Sequence, residues 1–286
     1  MKGWLIYNRA DAKRNVAFIN WFLEESNRLS IDLQLTYTDE LQVTLQNGQV
    51  YLQTKENAIP DFAIVRTIDP MLTAQLEQAG VACFNNAETS SLTNDKIKTH
   101  MELAKLDIPM VDMYFQINTP IPKPPLAFPF VWKSAHGRGG KDVHLVETET
   151  QYQELQKLYT DHPIVMQKLA PTSGKDVRVF VIGKKVIAAV LRSSTQDFRA
   201  NYSLGGNATL YSLNTEELKL VQRIIDYYHF DFVGIDFLFD ENGCLLFNEI
   251  EDVVGSRTLS SVSDINIVKL YLEYINQFLE GYDCKL

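Results

Sequence analysis

The run Val233-Gly234-Ile235-Asp236-Phe237-Leu238-Phe239-Asp240-Glu241-Asn242-Gly243-Cys244-Leu245-Leu246-Phe247-Asn248-Glu249-Ile250-Glu251 reads as two apolar strands joined at Asn242-Gly243. Asn-Gly is the dipeptide preferred by a two-residue hairpin turn, and such a turn fixes which residues face one another. That register pairs Glu241 with Cys244, Phe239 with Leu246 and Asp236 with Glu249, and directly opposed Cβ atoms lie about 4.5–5.5 Å apart. Glu251 stands two residues beyond Glu249 and shares its face. Three carboxylates therefore converge on a ribbon otherwise built from Val233, Ile235, Phe237, Leu245, Leu246 and Phe247. Like charges in apolar surroundings either raise a pKa, as in an acid/base pair, or hold a cation. All-oxygen ligation favours magnesium or manganese over zinc, which makes Asp236, Glu249 and Glu251 candidate metal ligands. The plain alternative is a solvated hairpin end whose acids pair with lysines.

Outward from this hairpin, at the other end of the chain, the first 90 or so residues alternate strand-like and helix-like patterns. Trp4 to Tyr7 is a strand, and Ala12 to Leu29 carries Val16, Ile19, Phe22 and Leu23 at helical spacing. Ile31 to Tyr37 alternates as a strand, and Asn47-Gly48 marks an inserted hairpin. Phe62 to Val65, a helix from Met71 to Ala79 stopped by Gly80, and Val81 to Phe84 complete a small doubly wound sheet. A helix spans about Asn94 to Leu106, and the run from Pro120 to Pro125 reads as a linker. Beyond it come strands at Phe130 to Lys133, Val143 to Val146 and Pro163 to Leu169, with a helix near Thr150 to Tyr159. A long hairpin turns at Gly183-Lys184, Asn214 and Glu217 open a capped helix, and a closing helix runs from about Ser263 to Glu280.

The composition excludes several classes. At 286 residues and 45% hydrophobic content the chain is a globular protein of about two domains or two packed halves. A net charge of -9 argues against nucleic acid as the main partner. The three cysteines, Cys83, Cys244 and Cys284, are scattered, which points to a reducing, cytoplasmic setting. No run of about 18 apolar residues is present, so neither secretion nor membrane spanning is supported.

Gly137-Arg138-Gly139-Gly140 lies between two strands rather than between strand and helix, so it is not a Walker A loop. It reads either as a flexible flap whose backbone approaches phosphate, or as a glycine-rich turn with solvated charges. Lys133 ends an apolar strand, where a buried lysine needs an anionic partner. Lys96 opens a helix, a position unfavourable to a cation unless it reaches a ligand; ordinary surface charge is the alternative. Asp176 and Arg178 share one strand face, which Arg192 and Arg199 could join. Asp11, Arg14 and Asn15 follow the first strand at its carboxyl end, where open α/β folds bind ligands, but a solvated helical turn explains them equally well; Arg66 ends another strand and has the same two readings.

In order and spacing these stretches resemble the ATP-grasp superfamily, and most closely its RimK-like branch of carboxylate-amine ligases. The resemblance covers nearly the whole chain. It rests on Asn94-Asp95-Lys96, Phe130-Val131-Trp132-Lys133 with the glycine loop, Val165-Met166-Gln167-Lys168-Leu169, Asp176 to Val181, Asp197-Phe198-Arg199-Ala200-Asn201 with Gly205-Gly206, Gly234-Ile235-Asp236, and Asn248-Glu249-Ile250-Glu251. The implied fold is α/β (α+β): an amino-terminal doubly wound domain (1–92), a central flap-bearing part (93–168) and a carboxy-terminal part with the metal hairpin (169–286). The resemblance implies that Lys96, Lys133, Gly137, Arg138, Gly139 and Gly140 contact nucleotide phosphates, that the backbone of Gln167, Lys168 and Leu169 holds adenine, and that Asp176 lies near ribose. It further implies ATP with Mg2+ or Mn2+ on Asp236, Glu249 and Glu251. Arg199 would stabilise the transferred phosphoryl group, with Arg178 and Arg257 as candidates for the carboxylate substrate. The expected reaction joins a carboxylate to an amine of an amino acid or peptide, and a homodimer is implied as well. Two departures stand out: Glu251 occupies a position where the family commonly has asparagine, and Asp252 to Arg257 lacks the usual proline-glycine. A nucleotide-binding regulatory protein without ligase activity is the alternative.

Overall fold

The computed structural model describes residues 1–53, 59–117, 119–137, 140, 142–195, 197–200 and 206–283. The chain opens with β1 (Lys2–Tyr7), α1 (Arg9–Arg14), α2 (Val16–Arg28) and β2 (Asp32–Tyr37), followed by the hairpin β3 (Gln42–Gln46) and β4 (Gln49–Gln53). Then come β5 (Phe62–Val65), α3 (Pro70–Gln78), β6 (Ala82–Phe84), α4 (Ala87–Thr93) and α5 (Lys96–Ala104). The first sheet has the order β2-β1-β5-β6, and all its pairings are parallel. The expected single helix from Ala12 to Leu29 is broken at Asn15, whose side chain and N–H both bond back to Asp11 and stop α1.

A second sheet is built from β7 (Met113–Gln116), β8 (Phe130–Ser134), β9 (Val143–Val146) and, after α6 (Glu149–Leu158), β10 (Ile164–Lys168), in the antiparallel order β7-β10-β8-β9. Phe130, Trp132, Ile164 and Met166 face α6 and pack around Tyr152. The proline run that reads as a linker is packed against the second sheet's helix. Its carbonyls at Ile121 and Pro122 accept from Tyr152 and Gln153, which ties it beneath α6.

The third sheet comprises β11 (Lys175–Ile182), β12 (Lys185–Ser193), β13 (Asn207–Tyr211), β14 (Phe232–Phe239) and β15 (Leu245–Glu251), in the antiparallel order β13-β12-β11-β14-β15, with α7 (Thr215–Tyr227) inserted before β14. Helices α8 (Arg257–Val262) and α9 (Ile267–Asp283) follow. Alternation along β11 decides what each face does. Val177, Val179 and Val181 join Val221, Ile224 and Ile225 of α7 in one core, whereas Phe180 and Ile182 join α9 in another. Asp176 and Arg178 lie on the latter face, at the end of the strand beyond the helix.

That second core also contains Leu5, Tyr7 and Phe62 of the first sheet's face and Phe22 of α2, so α9 glues the parallel sheet to the third sheet. Asn85 fastens the same junction. Its Oδ1 accepts from the N–H groups of Asp231 (2.7 Å) and Phe232 (3.0 Å), and its Nδ2 donates to the Phe232 carbonyl (2.7 Å). The second and third sheets face each other across a cleft.

Candidate active site

The ribbon β14–β15 closes differently from the two-residue turn expected of Asn242-Gly243. Asp240 pairs with Cys244, leaving a three-residue loop in which Gly243 takes φ +81°. A left-handed residue ending such a loop calls for glycine. The Asp240 carboxylate selects this loop by accepting from the N–H groups of Asn242 (2.8 Å) and Cys244 (2.7 Å). Phe239 consequently pairs with Leu245 rather than Leu246. A bulge at Asn248 then restores the register, and Asp236 faces Glu249 after all.

Asp236, Glu249 and Glu251 present carboxylate oxygens within 4.8 Å of one another. Asp236 is buried, and both its oxygens are held by arginines. Arg178 donates through Nε (2.7 Å) and Nη2 (2.6 Å), and Arg192 through Nη2 (2.8 Å). Burial alone would raise the Asp236 pKa, but the two guanidinium groups outweigh it and hold the carboxyl down at about 2. Arg178 Nη1 also lies 2.9 Å from Glu251, so the third acid has its own counter-charge. Gly234 is required by Val254, whose Cγ2 would stand 2.6 Å from a Cβ there, whereas Arg178 Cδ at 3.4 Å would be in near-ordinary contact. Arg192 in turn grips Asp176 with two bonds of 2.6 and 2.8 Å, while burial pushes the Asp176 carboxyl up to about 6 against that attraction.

On the opposite wall, Lys133 is buried and donates to Asn248 Oδ1 at 2.8 Å. Burial pushes its ammonium down to about 8, with Glu249 opposing the shift and Lys96 adding to it. Lys96 Nζ lies 3.5 Å from Glu249 and donates to the Gly137 carbonyl at 2.6 Å. For Glu249, burial raises the pKa, but Lys96 and Lys133 hold it below its ordinary value. Arg199 is chelated by Asp197 and donates to the Gly140 carbonyl at 2.7 Å. The two described ends of the glycine loop are thus pinned by two cations.

The cleft is lined by Lys96, Lys133, Gly137, Gly140, Gln167, Leu169, Asp176, Arg199, Asp236, Glu249 and Glu251 from the sequence expectation. Arg138 and Gly139 lie outside the described residues, as do Asn201 and Gly205. Lys168 does not line it. Next to the inward Gln167 on the strand, its side chain is 66% exposed, near Asp112, and its N–H bonds to the Asp112 carbonyl. Leu169 does line it, and among the described residues its N–H has no partner. Arg178 lies behind Asp236 with its guanidinium on the carboxylates of Asp236 and Glu251, and Arg257 is exposed at the start of α8, off the cleft wall. Four polar lining residues had no assigned role in the sequence: Ser173, Lys175, Arg192 and Asn248. Arg192 was not legible from its turn: Gly183-Lys184 by itself sets Leu191 opposite Asp176, and a register shift between Phe180 and Val181 brings Arg192 there instead.

Beneath this wall His100 is buried; its Nδ1–H donates to the Lys96 carbonyl (2.6 Å) and its ring meets Phe247 edge-on at 5.1 Å. Burial lowers its pKa to about 4, with the Lys96 carbonyl opposing and Lys133 assisting. Between about pH 4 and the unfolded value of about 6.5 the unfolded chain binds more protons. Stability is therefore complete above that window and is lost as pH falls through it. His100→Gln, which keeps a donor but cannot titrate, is expected to remove about 2–3 kcal/mol of this acid dependence. Urea midpoints at pH 4.5 and 7 check it.

Fold and site together define an ATP-grasp enzyme, an ATP-dependent ligase that forms C–N bonds. The chain belongs to the RimK-like ATP-grasp family: residues 93–275 match its RimK-like ATP-grasp domain. It is similar to human N-acetylaspartylglutamate synthase A, with 28% identity over 261 residues, covering 84% of this chain and 67% of that one. Among solved structures, a RimK domain protein ATP-grasp from Sphaerobacter thermophilus shares the fold at TM-score 0.75 and 18% identity, covering 96% of this chain and 99% of that one. D-alanine–D-alanine ligase from Bacillus anthracis, solved with ATP, superposes at TM-score 0.72 and 14% identity over 100% of this chain and 99% of that one. Among the described residues, no helix is long and apolar enough to cross a membrane.

Proposed function

We propose that the protein activates a substrate carboxylate with ATP and joins it to an amine, with an amino acid or peptide among its substrates. The observation that carries this reading is the three-carboxylate cluster facing buried Lys133 and the pinned glycine loop across one cleft. A substrate carboxylate oxygen attacks the γ-phosphorus of ATP, the bond to the ADP oxygen breaks, and an acyl phosphate forms. The amine nitrogen then attacks the carbonyl carbon, loses a proton, and phosphate leaves.

The all-oxygen donor set of Asp236, Glu249 and Glu251 fits magnesium. When bound, the metal supplies positive charge to the polyphosphate oxygens. The chain's own part is positional and electrostatic. Lys96 and Lys133 receive phosphate charge, Arg199 steadies the moving phosphoryl group, and the chain from Gln167 to Leu169 at the end of β10, with its unpartnered Leu169 N–H, takes the adenine. Lys96 and Arg199 exchange the carbonyls of Gly137 and Gly140 for phosphate as the nucleotide enters. Arg178 acts by orienting Asp236 and Glu251.

The test is a screen of amino acids and short peptides for ADP release. We expect magnesium-dependent release above the ATP-only rate only when an acid and an amine are both supplied. ATP binding with no stimulation by any pair would show a nucleotide-binding protein without ligase activity.

A further inference from the structure

A second charged point lies behind the cleft. Arg66 follows β5 directly, at the carboxyl end of the parallel sheet, where open α/β sheets bind ligands. It is 5% exposed, yet among the described residues it has no acidic partner: Nη2 donates to the Val254 carbonyl (2.8 Å), the guanidinium carbon lies 5.1 Å from the Phe18 ring centroid, and Nε is buried with nothing to bond. A buried guanidinium without a counter-anion is costly to maintain. Tyr7 supplies an independent observation. It ends β1, is 1% exposed, and its hydroxyl is also buried and unpartnered. Ile6 pairs with Val65, so Tyr7 and Arg66 are neighbours in the parallel ladder and share the face toward Val254.

The place of Val254 connects this pair to the chemistry. Its side chain packs on Gly234, which faces Glu251 across the ribbon and touches Arg178. Arg66 thus sits on the other side of one residue from the carboxylate cluster. The next residue, Gly255, borders open space, because a Cβ there would meet nothing within 4 Å. The chain surface therefore comes within one residue of the carbonyl that Arg66 holds.

We propose that Arg66 and Tyr7 bind a carboxylate of one organic substrate other than the group that reacts, Arg66 as a charged donor and Tyr7 as a hydroxyl donor. This rests on the ligase reading above, but its test reads binding apart from turnover. In protein labelled with 15N-arginine, the Arg66 Nε–H resonance is identified by its absence from R66K. It is followed with magnesium and a non-hydrolysable ATP analogue present. The probe is L-glutamate, which carries an amine and two carboxylates, followed by its α-amide and its γ-amide.

L-Glutamate is expected to shift the Arg66 signal, and the amide that fails to shift it names the carboxylate held. Y7F is expected to weaken the titration about 3- to 10-fold with Tm unchanged or raised, whereas a purely structural hydroxyl would leave the titration alone. An Arg66 signal unmoved by L-glutamate, or moved equally by both amides, overturns the proposal. ADP release in the screen with a silent Arg66 keeps the ligase and removes this subsite; a shifted Arg66 without ADP release does the reverse.

Discussion

Glu249→Gln is expected to lower ligation turnover by about 100- to 1,000-fold while leaving a folded protein. The substitution keeps the shape of the side chain and removes one of three converging charges. Repulsion from Asp236 opposes ionisation of Glu249, and Lys96 at 3.5 Å favours it. Loss of the charge therefore removes one repulsion and one attraction in the ligand-free state, and the stability change is expected to stay within about 1 kcal/mol. The effect belongs to the loaded state, so the magnesium concentration for half-maximal ADP release should rise together with the fall in turnover. Steady-state ADP release across a magnesium series, with a thermal melt of the same sample, measures both. Turnover within a few-fold of the unaltered protein would remove the metal role assigned to this hairpin.

Lys133→Met should separate activity from stability even more clearly. The ammonium is buried and its pKa is pushed down to about 8 by that burial, so the folded protein holds this charge at a cost when no anion is present. Methionine matches the stem and removes the charge, leaving Asn248 without its donor. The expected outcome is a thermal midpoint unchanged or raised, with nucleotide affinity and turnover lower by about 100-fold or more. Calorimetric titration with a non-hydrolysable ATP analogue reads the affinity directly. Unaltered nucleotide binding would show that Lys133 serves the fold alone.

The facing of Asp236 and Glu249 was legible in the sequence, but only because two offsets cancel. Asn242-Gly243 suggests a two-residue turn, whereas Asp240 imposes a three-residue loop through its side-chain bonds. The bulge at Asn248 shifts the ladder back by one. No local residue preference announces that bulge, at which the Asn248 side chain meets Lys133 of another sheet. Periodicity located β10, β11 and β14 because their apolar runs are long, yet it passed over β7 and β13, whose residues are half-exposed and carry weak alternation. The role of the proline run depends on α6 covering its carbonyls, a tertiary fact. The reach of Arg178 was hidden for a similar reason: strand alternation gives its face but not the two acids that occupy its guanidinium.

On a regular strand, alternate side chains leave only two of any four consecutive residues on a given side. β15 presents Asn248, Glu249 and Glu251 to the cleft while Phe247 and Ile250 stay in the core behind them. One irregular peptide thus concentrates three oxygen-bearing groups into the width of two. Grafting these side chains onto an ideal ribbon would strand one of them among the phenylalanines, so anyone transplanting this centre must carry the irregularity along with the acids.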